Sequence, residues 1–139
     1  MNPNFNVDQI FNIGTADEIR DMVLVPRPTR HPDYDVWWER ANALANILIP
    51  AIVVLRDTGA IELDAYTFSD RVRLDSVIDL LDEQDFPQIP DDIRQNIARY
   101  LHNLPGYNAE AGRNQHDKTI EKHVYVVMQF INHIGQPRQ

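Results

Sequence analysis

The run from Ile47 to Leu55, ILIPAIVVL, constrains the fold more than any other stretch of this chain. It completes a longer pattern that starts at Asp33 or Asp35. Val36, Ala41, Leu44, Ala45, Leu48, Ile52 and Leu55 recur at three-and-four spacing, which predicts an amphipathic helix to about Arg56. Beyond Ile47 nearly every residue is apolar, so that half of the helix must be surrounded by other elements. Pro50 deletes one backbone donor and predicts a kink there. The apolar run is nine residues long, and a membrane span needs roughly 20. The N-terminus, MNPNFNVDQ, lacks the basic-then-apolar order of a signal segment. The expectation is a soluble domain built around a central helix.

Shorter elements flank it. Thr15-Ala16-Asp17-Glu18 reads as a capping box that opens a helix to about Met22. Pro26, Pro28 and Pro32 make the following segment an extended loop. Asp57-Thr58-Gly59 is a turn. Thr67 or Ser69 is expected to cap a short helix, and Asp75 to open another with Val77, Ile78, Leu80 and Leu81 inward. Pro90, followed by Asp91 and Asp92, suits a helix start, with Ile93, Ile97, Tyr100, Leu101 and Leu104 as its apolar stripe. Pro105-Gly106 stops that helix, and Tyr107 is expected to fold back onto its end. Asn108 to Gln115 is polar loop. A last helix runs from about Asp117 to His133, with Ile120, Val124, Val127, Met128 and Ile131 read as the inward face and Gly135 as its stop. Val124 to Val127 is β-branched, but its flanks favour helix.

The fold class is therefore all-α. A compact, orthogonal domain of about six unequal helices, with a long kinked central helix, is expected. The 139 residues form a single domain, with 1–14 and 134–139 as boundary segments.

The net charge of −8 is unevenly distributed. Between Asp57 and Asp92 eleven acids face only Arg71 and Arg73, and the rest of the chain is almost neutral. Such a block repels phosphate backbones, because non-specific nucleic-acid binding depends on cations that release counterions. It suits a basic protein partner or a plain solvated face. Asp79, Asp82, Glu83, Asp85, Asp91 and Asp92 are the candidate protein-binding residues. An alternative nucleic-acid contact would use Arg27, Arg30 and Arg40, with His31 nearby and Trp37 or Trp38 for stacking. Trp37 and Trp38 point about 100° apart on a helix, so one packs inward while the other covers the proline loop or a contact surface.

Catalytic patterns are missing from the sequence. Gly106 and Gly112 are separated by five residues and followed by Arg113 and Asn114, which does not make a phosphate-binding loop. Cysteine is absent, which removes disulfides, thiolate metal sites and a cysteine nucleophile. Ser69 and Ser76 lie outside any nucleophile motif. His116, Asp117 and His123 could share a metal only if the loop folded back over the helix. Paired acids such as Asp82/Glu83 and Asp91/Asp92 stand where water keeps them ionised, and general-acid work needs burial. The reading is a non-enzyme with no metal and no cofactor.

Trp38-Glu39-Arg40-Ala41, Ala43-Leu44, Ile49-Pro50-Ala51 and Val54-Leu55-Arg56-Asp57 resemble the long helix of the all-alpha domain in type IV coupling proteins. Tyr100-Leu101, Leu104-Pro105-Gly106-Tyr107 and Met128-Gln129-Phe130 are similar to later pieces of that domain, and Asn2-Pro3-Asn4-Phe5-Asn6 to its entry. The resemblance extends from about Asn2 to Asn132. It implies an insertion excised from a hexameric, membrane-anchored ATPase that recruits substrates to conjugation and type IV secretion channels. It also implies a cytoplasmic domain at the inner face of the bacterial inner membrane. Its partners would be a relaxase or effector protein, the parent's motor domain and neighbouring subunits, with DNA in some members. The family supplies no defined binding residues, so the site assignments rest on charge and exposure. A purely structural, inter-subunit role is the remaining alternative.

Overall fold

The computed structural model describes residues 3–24 and 32–134. Seven α-helices and one 3₁₀ turn follow in order: α1 Pro3–Ile13, α2 Ala16–Val23, α3 Pro32–Asp57, α4 Ala65–Arg71, α5 Leu74–Asp79, α6 Asp91–His102, the 3₁₀ turn Ala109–Ala111, and α7 Asp117–Ile134. No strand occurs among the described residues. The all-α expectation holds, with one helix more than expected. The additional helix is α1, which carries no capping signal ahead of it, yet its Phe11 is fully buried in the core.

Helix α3 runs unbroken through Pro50, and α2, α6 and α7 all pack against it. Ala41, Leu44, Ala45, Leu48, Ile49, Ala51, Ile52 and Leu55 are buried. Val36, counted in the same stripe, is 48% exposed. Burial on several sides explains the loss of polar residues after Ile47. By length and composition alone, Val36–Asp57 could cross a membrane, a reading that counting only the nine-residue run missed. In this fold it is the central helix.

The local capping chemistry decides where the small helices start. Thr15 and Glu18 form the expected capping box, with Glu18 N–H donating to Thr15 Oγ1 and Thr15 N–H to Glu18 Oε1. Helix α4 is capped by Asp64, not by Thr67 or Ser69. Thr67 N–H donates to Asp64 Oδ1, while Thr67 Oγ1 accepts from Asp64 N–H, a reciprocal box with threonine at its third position. Asp8 on α1 adds an acceptor for Ala65 N–H. Arg56 at the end of α3 donates to the carbonyls of Phe11 and Gly14, which ties the α1–α2 corner to the central helix. Phe68 stands 5.0 Å from Phe11 and edge-on to Phe130, so α1, α4 and α7 share one aromatic cluster.

The turn after α6 also has a definite cause. Gly106 adopts φ +78°, and a Cβ there would lie 2.5 Å from Thr119 Oγ1. That hydroxyl donates to the carbonyl of Pro105. Glycine is thus required both for backbone conformation and for the approach of α7. Tyr107 does fold back, edge-on to His102 at 5.7 Å.

Helix α7 is rotated from expectation. Thr119, His123, Val126 and Phe130 are buried, whereas Ile120, Val124 and Met128 are 40–51% exposed. Val127 is partly buried against the core, and the Ile131 side chain lies outside the described residues. The apolar stripe was read correctly as a stripe, but its neighbours cover the adjacent one. Helix α6 shows the opposite outcome: Ile97, Tyr100 and Leu101 are buried as expected, as is Leu104 just past its end, and Ile93 is partly buried against the core.

Candidate functional site

The acidic segment folds into α5, a set of turns and the start of α6. Asp82, Glu83, Asp85, Asp91 and Asp92 are all exposed. Asp82 Oδ1 accepts from the amides of Gln84 and Asp85, which fixes the first turn. Beneath this ledge lies Arg94, a residue the sequence reading passed over. It is 8% exposed, and its guanidinium donates to the carbonyls of Leu80, Phe86 and Ile89 at 2.7, 2.9 and 3.1 Å. A buried cation is tolerated when hydrogen bonds replace water, and here three carbonyls do so. Arg94 therefore holds the acidic turns in a fixed shape. Its position one turn into a helix that follows a proline-bounded loop was a usable signal, since an arginine there can reach back to loop carbonyls.

Asp79 differs from the other five. It is paired with Arg113 across two contacts, with Arg113 Nε 2.8 Å from Asp79 Oδ1 and a second bond to Oδ2. Hydrogen bonding and the charge of Asp79 raise the pKa of Arg113 further above its ordinary value. Asp79 is thus locally neutralised, and the open ledge consists of the remaining five carboxylates. The link also secures the loop before α7, where Gln115 accepts from Asn108 N–H and donates to the carbonyls of Asn108 and Gly112.

The alternative basic site is only partly within the described residues, because Arg27, Arg30 and His31 lie outside them. Trp37 is half-buried and packs 5.3 Å from Tyr125 on α7. Arg40 and Lys122 lie 5.0 and 5.8 Å from its ring. The Arg40 contact lies within α3, whereas Lys122 and Tyr125 tie Trp37 to α7, which leaves the ring engaged within the protein. Trp38 is also half-buried.

His116, Asp117 and His123 are not brought together, and no group of metal-ligating side chains occurs among the described residues. His123 is buried, with Nε2 2.5 Å from the carbonyl of Val72. A carbonyl can only accept, so Nε2 carries the proton. Burial lowers the pKa of His123, against smaller raising effects of the Val72 bond and of Asp75. The ring is held neutral, and its Nδ1 has no partner among the described residues.

Fold and surface together describe an all-helical module whose distinctive groups are charged side chains on a fixed surface. No protein-family model matches the chain, and no solved structure does. Among curated proteins, the type 4 coupling protein DotL of Legionella pneumophila is 34% identical over 109 residues. That alignment takes in 71% of this chain and 14% of DotL. The chain is related to the coupling proteins, as the sequence resemblance implied, and the match spans about one seventh of the length of DotL.

Proposed function

We propose that this domain is a cargo-recognition module of a type IV secretion coupling protein. It acts by binding, not catalysis, at the cytoplasmic face of the inner membrane through a larger parent ATPase. Its cargo is a protein with a basic segment, such as a relaxase or effector. The observation that carries this reading is the ledge of Asp82, Glu83, Asp85, Asp91 and Asp92, exposed and held by the three carbonyl bonds of Arg94. A pre-shaped array of like charge gives fast encounter and selectivity for the opposite charge. The strand-guidance alternative is less well supported, since Trp37 and Arg40 already contact each other and Trp37 packs on α7.

Each exposed pair contributes less than ~1 kcal/mol, so one reversal has a small effect and four together a large one. Reversing Asp82, Glu83, Asp91 and Asp92 to lysine should weaken binding of basic cargo by more than about tenfold and flatten its salt dependence. Isothermal titration against the cargo encoded beside the parent ATPase measures both. Unchanged affinity and salt dependence would eliminate the ledge as the docking face.

A further inference from the structure

A second surface has the opposite charge. Helices α3 and α6 enclose a cleft of about 300 Å³. Arg40 and Arg99 stand at it with Asn96 and Asn103, over an apolar floor that includes Ile47 and Leu104. In a chain of net charge −8, this cleft has two cations and no carboxylate among its lining residues. Arg40 contacts the Trp37 ring and Arg99 donates to Asn96 Oδ1, and neither guanidinium forms an ion pair with an acid among the described residues. Tyr100 lines the same cleft, is 9% exposed, and its hydroxyl has no hydrogen-bond partner among the described residues. Burial raises the Tyr100 pKa, with the charge of Arg40 acting in the opposite sense, so the phenol stays a proton donor.

We infer that this cleft binds the terminal carboxylate of a peptide whose last side chain is apolar. The donors are guanidinium, amide and phenol groups, which match a planar carboxylate, while the apolar floor takes the side chain. A phosphate dianion fits less well. Arg99 and Asn103 belong to the last turn and C-cap of α6, where the helix dipole presents partial negative charge. No helix N-terminus or glycine loop offers backbone N–H groups at the cleft, in contrast to phosphate sites. The inference is independent of the acidic ledge, which lies at the other end of α6.

The test uses the full chain with three probes: acetyl-Ala-Ala-Leu with a free carboxylate, the same peptide as its amide, and inorganic phosphate. The acid should shift the side-chain N–H signals of Asn96, Asn103, Arg40 and Arg99, and the amide should bind at least about tenfold more weakly. Phosphate should leave those signals in place. Tyr100→Phe removes a hydroxyl that bonds nothing in the free protein, so it should fold normally and lose part of the preference for acid over amide. Arg40→Gln with Arg99→Gln should abolish that preference. Equal binding of acid and amide would overturn the assignment, as would shifts of these groups by phosphate or by a short single-stranded DNA but not by the acid. An unchanged acid-to-amide ratio in Tyr100→Phe would remove Tyr100 from the site.

Discussion

Helices α6 and α7 flank the same central helix and both show a clear amphipathic period, yet they are used in opposite ways. On α6 the apolar stripe faces in, and its one buried cation, Arg94, hydrogen-bonds loop carbonyls. On α7 two polar side chains, Thr119 and His123, face in, each bonded to a carbonyl of another segment. The apolar residues Ile120, Val124 and Met128 face out. Burial on a helix thus follows what its neighbours can satisfy. A polar residue is accepted inside when a fixed carbonyl waits for it, and an apolar stripe stays outside when no element covers it.

The largest effect should come from Arg94→Ala. It strands the buried carbonyls of Leu80 and Ile89, takes one of two donors from Phe86, and should cost about 3–5 kcal/mol in chemical denaturation, with the amides of the 80–90 turns losing exchange protection first. A cost below about 1 kcal/mol would show that water replaces the guanidinium and that the ledge is not held by it. Ile97→Ala on the buried stripe of α6 should cost about 2–5 kcal/mol. The matching change on α7, Val124→Ala, should stay within about 0.5 kcal/mol. Equal costs would mean that the outward face of α7 is covered.

Gly106→Ala probes the junction between the two helices. It combines a left-handed backbone with a clash against Thr119, and should cost about 1–3 kcal/mol by thermal or urea unfolding. Pairing it with Thr119→Ser, which keeps the hydroxyl, should give no relief, whereas Thr119→Ala should recover part of the loss.

A conditional effect, present only in acid, is a pH dependence centred on His123. Its folded-state pKa lies below the ordinary 6.5, so the unfolded chain takes up the proton first as pH falls. Stability should be unaffected by this group above pH 7.5 and should decline as pH drops through 6.5, by at most about 1.4 kcal/mol per pH unit. Asp75, Arg73 and Arg113 line the cavity beside the ring and enter the same balance. His123→Gln keeps a donor for Val72 and cannot titrate, so the difference between variant and parent from pH 7.5 to 5 isolates the effect. Parallel curves would show that His123 titrates in the fold as it does in the unfolded chain and is not held neutral by burial.

Several features were legible because they depend on neighbours in sequence. The Thr15–Glu18 box, the start of α6 after Pro90, the stop at Pro105-Gly106 and the apolar half of α3 all involve residues within one or two turns of each other. The acidic block was equally visible, since formal charge can be counted along a chain. Other features were hidden because they join distant segments. Arg113 reaches Asp79 over 34 positions and His123 reaches Val72 over 51, and no local pattern announces either pair. Helix α1 was missed for a related reason, because its core contact is made with α4.

The sequence by itself determined an all-helical domain around one apolar central helix, its main turns and the sign of its most charged surface. Tertiary structure decided the rotation of α7, the burial of Arg94 and His123, and the pairing that removes Asp79 from the open ledge. It also brought two arginines and a buried phenol from α3 and α6 to one cleft. Hydrophobic period specifies that a helix has two faces, but adjacent stripes differ by only about 100° around its axis. Which of them is buried is settled by the surfaces and unpaired carbonyls that the rest of the chain places against it.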